Sequence, residues 1–318
     1  MKHPLLSIIG TTATGKTSLA LELANQVLAD GLYSGVDIIS VDSRQVYANL
    51  PILSGADVPA GFIRTMSESE YPQPLYAKPE SSIFLHGVSI LNADEEWSVA
   101  QFQAFALQIL AVSLQKNHLP ILVGGTGLYH QQLFLDDPHL LIPPNDAWRA
   151  EAATLSLVEL QTKLKLMNPE KYKALNNSDL HNPRRLQRAI EISLADVPVF
   201  PEWQRDVATE YQQQFVGLSL HLEILEQRIK DRIEKRLAQG VIDECTHFLE
   251  NYTDTTLAHS TLGLASLSSY IQGTTTSDQL KESWLLEELQ YAKRQQVWWK
   301  KQSNILWYDA QQLEGIAE

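Results

Sequence analysis

The chain has 318 residues, enough to bury a large core as roughly two domains or as one α/β domain with an elaborate insertion. With 44% apolar and 20% charged residues it reads as an ordinary soluble globular protein, and no apolar run approaches the ~20 residues that a bilayer crossing needs. A single cysteine, Cys245, excludes an internal disulfide and a Cys-rich zinc module, and a net charge of −13 argues against a protein that coats nucleic acid non-specifically.

The N-terminus runs directly into "LLSIIG", a short apolar run ending in glycine, as expected of a buried parallel strand with no signal peptide before it. A Gly-rich turn and a helix follow, the latter with Leu19, Leu23 and Val27 at helical spacing. "VDIISVDS" reads as a second buried strand. The stretch 60–82 is polar, Pro-containing and without clear period, so the expectation there is a long surface loop. An amphipathic helix, "SVAQFQAFALQILAVSLQKN", leads into a third strand, "LPILVGG" (119–125). Strands alternating with helices predict a parallel, doubly wound sheet with ligands at the carboxyl ends of its strands.

From Asp136 the texture becomes helical and polar, until "FVGLSLHLE" (215–223) reads as a strand returning to the sheet. The remainder is expected to be helical: one segment to about Tyr252, ended by Thr and Asp residues, then "SDQLKESWLLEELQYAKRQQVWWKKQ". The expected organisation is an α/β core from 1–135 and 214–318, a P-loop-type parallel sheet with a helical C-terminal part. It is interrupted by a helical insertion at 136–213.

Three stretches carry chemistry. "GTTATGKT" (10–17) has Gly10, four residues, Gly15, Lys16 and Thr17, and it follows a predicted strand and opens a predicted helix. Its backbone amides and the helix N-terminus make an anion site, Lys16 adds a point charge, and the Thr17 hydroxyl can hold Mg²⁺. This identifies a polyphosphate site but not which polyphosphate. In "IISVDSRQVY" (38–47), Asp42 ends a strand and is followed by Ser43, Arg44 and Gln45; the spacing is equally compatible with metal support, a general base and a cap. In "LVGGTGLYHQQL" (122–133), two glycines allow close backbone approach and Thr126 points a hydroxyl at the same rim, although a tight turn capped by threonine is the plainer reading. Two acid-free basic runs, "HNPRRLQR" (181–188) and "YAKRQQVWWKK" (291–301), read from charge alone as solvated helix faces; Trp298 and Trp299 give the second a stacking surface for bases.

Taken together, "GTTATGKT", "SVDSRQVY", "VGGTGLY", "NPRRLQRAIEI", "GVIDE" and "YAKRQQVWW" resemble, in order and in approximate spacing, the tRNA dimethylallyltransferases (tRNA isopentenyltransferases), from about Leu5 to Trp299. The loop motif is shared with countless NTPases; the second and third motifs with the terminal AKRQ-x-x-W are far more specific. The resemblance implies that residues Gly10, Thr11, Thr12, Ala13, Thr14, Gly15, Lys16 and Thr17 hold the diphosphate of dimethylallyl diphosphate, with Mg²⁺ at Thr17 and help from Arg228. Asp42 would be the catalytic carboxylate, acting with Thr126 and Lys16 on the N6 amine of an adenosine beside the anticodon. Asp42, Ser43, Arg44, Gln45, Arg149, Arg184, Arg185, Arg188, Lys293, Arg294, Gln295 and Trp298 would meet tRNA. The family also implies a monomer, and the composition and single cysteine fit a reducing cytoplasm.

The sequence departs from the family pattern at several points. Ala56 stands where lysine is common, Leu264 and Ala265 where a tyrosine and a basic residue are usual, and Val297 where threonine is usual. These departures bear on the RNA more than on the chemistry. Two other readings are a P-loop small-molecule kinase, which leaves "GGTGLY" and the tail without a role, and a prenyltransferase acting on free adenine nucleotides.

Overall fold

A computed structural model describes residues 2–66, 70–252 and 258–314. By internal contacts the chain divides into two compact units, Met1–Phe134 with Asp206–Glu318, and Leu135–Arg205.

The first unit is built on an eight-stranded sheet. Its strands are β1 (His3–Gly10), β2 (Gly35–Ser40), β3 (Ile63–Thr65), β4 (Leu75–Ala77), β5 (Ile83–His86), β6 (His118–Val123), β7 (Tyr211–Ser219) and β8 (Ile305–Asp309), in the order β3-β4-β5-β2-β6-β1-β7-β8. The six strands from β5 to β8 are parallel, and β3 and β4 add an antiparallel edge. Side chains of adjacent strand residues leave opposite faces of the sheet. Ile38 and Ile121 accordingly enter one core with Ala20 and Ala24, while Ile39 and Leu122 enter another with Phe102, Ala106 and Leu110. That two-sided burial explains the unbroken apolar runs.

The helices of this unit up to Phe134 are α1 (Lys16–Ala29), α2 (Pro51–Ser54), α3 (Val99–Lys116) and α4 (Gly127–Gln132). Ser98 and Gln101 close a reciprocal capping box at the start of α3. The Leu135–Arg205 unit contains α5 (Asp146–Ala152), α6 (Leu157–Met167), α7 (Pro169–Ala174), α8 (Asn177–Leu180) and α9 (Pro183–Leu194), packed around Trp148, Leu160, Leu164, Leu186 and Ile190. The first unit resumes at Asp206, within α10 (Glu202–Glu210), and its remaining helices are α11 (Leu222–Ala238), α12 (Val241–Asn251), α13 (Leu264–Ile271), α14 (Ser277–Trp299) and α15 (Ala310–Glu314).

Four expectations are corrected. The stretch 60–82 is not simply a loop: β3 and β4 lie within it and lengthen the sheet, although residues 67–69 lie outside the described residues. The strand expected at 215–223 starts earlier, at Tyr211, and ends at Ser219. The helix expected to run unbroken to Tyr252 is interrupted at Gly240 (φ 92), a backbone conformation glycine adopts freely, and so becomes α11 and α12; the Thr and Asp residues expected to end it lie outside the described residues. The C-terminal part is not wholly helical, because Ile305–Asp309 pairs with β7 as the outermost parallel strand. Among the described residues no helix is long and apolar enough to cross a membrane.

Candidate functional site

The loop after β1 turns through Ala13 (φ 60) and Gly15 (φ 81) into α1, whose first turn carries no acidic residue to oppose an anion. Within the loop, the Thr14 hydroxyl donates to the Thr11 carbonyl at 2.9 Å and Lys16 Nζ to the same oxygen at 2.6 Å. Burial lowers the Lys16 ammonium to about 8; neighbouring Asp42 works against that fall and Arg232 adds to it.

Asp42 follows β2. That strand is separated from β1 by β6, so the carboxylate and the loop lie two strands apart along one sheet edge. Asp42 Oδ1 accepts the backbone amides of Arg44 at 2.8 Å and Gln45 at 3.4 Å, which fixes the turn and leaves Oδ2 without a hydrogen bond among the described residues. Burial pushes its pKa up against the pull of those amides, of Arg44 and of Lys16. The cap reading therefore describes one carboxylate oxygen and not the other.

Two cavities meet at Asp42. The first, about 410 Å³, is walled by residues 12–17 of the loop, by Ser40, Gly124 and Gly125, and by Gln295. The second, about 240 Å³, is walled by Ser43, Arg44, Arg236, Arg294, Ser260 and Thr261. Thr12, Asp42, Gln45, Gly55, Asp57, Arg232 and Tyr291 border both.

One face of α14 forms the far wall of this site. Glu288, Tyr291 and Gln295 recur at helical spacing and border its cavities, while Trp298, further along the same helix, lies outside both and packs on Gly127. Gln295 Oε1 accepts the Thr12 amide at 3.0 Å. A Cβ on Gly125 would lie 2.0 Å from Gln295 Nε2, and one on Gly127 would lie 2.0 Å from Trp298 Nε1, so both glycines are required by α14 packing onto this turn. Thr126, between them, makes no side-chain cap to α4; its hydroxyl is buried without a hydrogen bond, and the Tyr291 phenol stands near it. Burial and the Asp42 charge raise that phenol to about 12, so it is a proton donor at neutral pH.

On α11, Arg228, Arg232 and Arg236 share one face. Arg228 Nη1 reaches the Ala13 carbonyl at 3.5 Å. Arg232 and Arg236 both bind the buried Glu288. The Arg236 guanidinium lies so close to Gly55 that a Cβ there would meet it at 2.4 Å. Ala56, the next residue, is buried. Gln45 is tied by Ser40 and the Gly55 carbonyl, and Arg44 bonds the carbonyls of Ser43 and Ser260. Lys293 and Arg294 are exposed, Arg294 lying over the Tyr291 ring at 5.6 Å. Leu264 is buried, Ala265 is exposed and Val297 is half exposed.

Sequence reasoning missed Tyr291, Glu288, Arg236 and Asp57. The first three were signalled by spacing from Gln295 and Arg228 on their helices. Asp57 had no such signal. Glu244 of "GVIDE" is also explained: its carboxylate accepts the Ile52 and Leu53 amides at 2.9 and 2.8 Å and so holds α2.

The Leu135–Arg205 unit holds the remaining basic residues. Arg149 and Arg188 both pair with buried Glu191, and Arg188 also donates to the Ile142 carbonyl at 2.7 Å. Arg185 pairs with Asp179. Arg184 is exposed and makes no ion pair among the described residues.

The model of the IPP transferase family matches residues 76–302. A tRNA dimethylallyltransferase of Moorella thermoacetica is 30% identical over 99% of this chain and 93% of its own length. The crystal structure of a full-length tRNA isopentenylpyrophosphate transferase from Bacillus halodurans is similar with a TM-score of 0.63 at 26% identity, covering 97% of this chain and 90% of that one. A eukaryotic dimethylallyltransferase captured acting on tRNA shares the fold with a TM-score of 0.73 at 21% identity, over 97% of this chain and 74% of that one.

Proposed function

The chain belongs to the IPP transferase family, and we propose that it transfers a dimethylallyl group from dimethylallyl diphosphate to the N6 amine of the adenosine on the 3′ side of the anticodon in tRNA. The observation that best supports this is the position of Asp42 at the junction of two cavities, one walled by the phosphate loop and the other by Arg44, Arg294 and hydroxyl side chains.

The diphosphate lies on the loop amides, with Lys16, Arg228 and Arg232 as cations. The adenine enters from the arginine-walled side after leaving its stack, because a stacked base keeps its amine out of reach. Asp42 Oδ2 accepts a hydrogen bond from the N6 amine. The nitrogen lone pair forms a bond to C1 of the prenyl group as the C1–O bond breaks; that electron pair leaves on the diphosphate, and Asp42 takes the amine proton. Donors already aimed at the leaving group stabilise its growing charge without reorganising. The Tyr291 hydroxyl, which borders both cavities, orients the reacting atoms, with the buried Thr126 hydroxyl near it supporting that phenol.

The oxygen-rich lining of the loop cavity, with Thr17, Ser40, Asp42 and Asp57, suits Mg²⁺, which takes oxygen ligands and keeps several from phosphate and water. Thr17 would hold the ion, which when bound neutralises charge on the departing diphosphate. Arg184, Lys293 and Arg294 are the exposed cations for tRNA phosphates. The reading includes a monomer acting in the cytoplasm, where tRNA and a reduced Cys245 coexist.

The test is a transfer assay with Mg²⁺, labelled dimethylallyl diphosphate and unmodified tRNA, with AMP and ATP in parallel. Label in a tRNA adenosine with no ATP consumed is the expected result. Label in AMP alone would move the acceptor to a free nucleotide, and turnover of ATP alone would return the loop to a kinase.

A further inference from the structure

Glu288 on α14 has a side chain only 3% exposed, and its carboxylate is shared by two arginines of α11. Oε2 accepts from Arg232 Nη2 at 2.9 Å and Oε1 from Arg236 Nη1 at 3.2 Å. The arginines are one helical turn apart and on one face, so without an anion between them their charges would repel across a poorly screened wall.

The two arginines are not equivalent. Arg236 is fixed: its side chain is 6% exposed, stacks over Trp284 at 5.9 Å and abuts Gly55. Arg232 is 24% exposed, borders both cavities and is felt electrostatically by Lys16. The triad thus carries one net positive charge, and only its Arg232 arm faces the phosphate loop.

We propose that Glu288 is a positioning residue that restrains Arg232 and thereby sets how tightly, and for how long, the diphosphate is held. This rests on the reading that the loop cavity takes a diphosphate. The carboxylate and the diphosphate oxygens compete for one guanidinium. The competition matters most after transfer, because free pyrophosphate carries more negative charge than the prenyl ester and must leave before the next turnover. Arg236 tempers the competition by drawing part of the Glu288 charge to itself. Removing Glu288 and removing Arg236 therefore act in opposite directions.

The experiment titrates inorganic pyrophosphate with Mg²⁺ into the full-length protein by calorimetry, alongside single-turnover and steady-state transfer to tRNA. Losing one buried like charge near an anion site at an effective dielectric of about 20 predicts that Glu288→Gln binds pyrophosphate about tenfold more tightly. Its steady-state kcat falls while its single-turnover rate is kept. Arg236→Met, which leaves the whole Glu288 charge on Arg232, binds pyrophosphate more weakly. A merely structural triad would weaken binding in both variants, and that result overturns the proposal, as does unchanged affinity in Glu288→Gln. If Glu288→Gln does not fold, the paired variant Glu288→Met/Arg236→Met, which leaves no buried charge unpartnered, takes its place: it should bind pyrophosphate more tightly than Arg236→Met alone, and equal or weaker binding overturns the proposal. Wild-type protein that binds pyrophosphate yet prenylates no tRNA would remove the transfer reading and leave this comparison standing. Wild-type transfer with unaltered pyrophosphate affinity in both variants would remove only the role of Glu288.

Discussion

The backbone amide of Thr12 donates to the side-chain oxygen of Gln295, joining residues 283 positions apart at 3.0 Å. The phosphate loop is thus tied to α14, and Gln295 reaches it only because Gly125 has no side chain. Gly125→Ala forces a Cβ to 2.0 Å from Gln295 Nε2, so the amide must withdraw and Thr12 loses its partner. The lost bond alone is worth about 1 kcal/mol. Its larger expected effect is on the loop: KM for the prenyl donor rises about tenfold or more, and Gln295→Ala shows the same rise with a smaller loss of melting temperature. Steady-state kinetics of both variants check this, and an unchanged donor KM in both would make the tether irrelevant to binding.

Asp42 is the group whose loss should separate chemistry from binding. Asp42→Asn keeps the turn, since an amide oxygen can still accept the Arg44 and Gln45 amides, but it cannot take a proton. The expected loss of kcat is ~10²–10⁴-fold, the range for a positioned general base. Pyrophosphate affinity should be nearly kept. Single-turnover transfer together with pyrophosphate titration tests both halves, and full activity in the variant would remove Asp42 from the proton path.

The pH profile follows from two groups shifted toward each other. Asp42 works ionised, and burial raises its pKa, so the acid limb of kcat/KM should lie above the usual carboxylate range. Lys16 works protonated, and burial lowers it to about 8, so activity should fall as pH rises through about 8 in the free enzyme. A bound diphosphate favours the charged ammonium, hence the alkaline limb of kcat should lie higher than that of kcat/KM. Lys16→Arg should carry the alkaline limb out of range. If the wild-type alkaline limb stayed in place in that variant, Lys16 would not be its source.

Much of this site was legible because its chemistry is carried by backbone turns. A glycine pattern after an apolar run forces the chain into a loop at a strand end, and parallel topology then brings Asp42, Thr126 and Lys16 to one sheet edge. Long-range packing was less legible. Ile305–Asp309 was too short to announce a strand, and β3 and β4 form only because Ile83–His86 offers them an edge. Periodicity marked α11 and α14 as helices, but the pairing of Glu288 with Arg232 and Arg236 depends on how the two helices face each other. Within the basic run of 181–188, the pairing of Arg188 with Glu191 and a backbone carbonyl could not be read from charge alone.

The most deeply buried ionic group was also invisible in the sequence. Asp37, in the middle of β2, accepts from Tyr71 and Ser113 hydroxyls at 2.8 Å each and contacts His86 at 2.9 Å and His118 at 3.0 Å. Burial opposes its ionisation, but the two histidines overcome this and hold its pKa well below the usual carboxylate range. The linkage sign follows: the stabilisation is present above the unfolded pKa, near 3.9, and is lost as pH falls toward the depressed folded value. Asp37→Asn should cost about 3–5 kcal/mol, as for a broken buried pair, and loosen the β3–β4 edge that Tyr71 anchors. Thermal unfolding of wild type and variant from about pH 2 to 7 checks it, the gap between them closing as pH falls below about 4; a variant as stable as wild type throughout would mean that the network is balanced without the charge.

Within the Leu135–Arg205 unit, Arg184 and Arg188 are four residues apart on α9 and should behave oppositely. Arg188 donates to Glu191 and to the His139 and Ile142 carbonyls, and Glu191 is 2% exposed. Arg188→Ala leaves a buried carboxylate with Arg149 as its remaining cation, so the variant should lose stability. Arg184 is exposed and unpaired among the described residues, free to meet a phosphate. Arg184→Ala should keep its melting temperature, weaken tRNA binding, and reduce the slope of log K against log salt by about 0.7–0.9, the share of one phosphate contact. Binding measured across a salt series, with melting curves beside it, distinguishes the two. An unchanged slope in Arg184→Ala would return that arginine to the solvated face that its charge alone suggests.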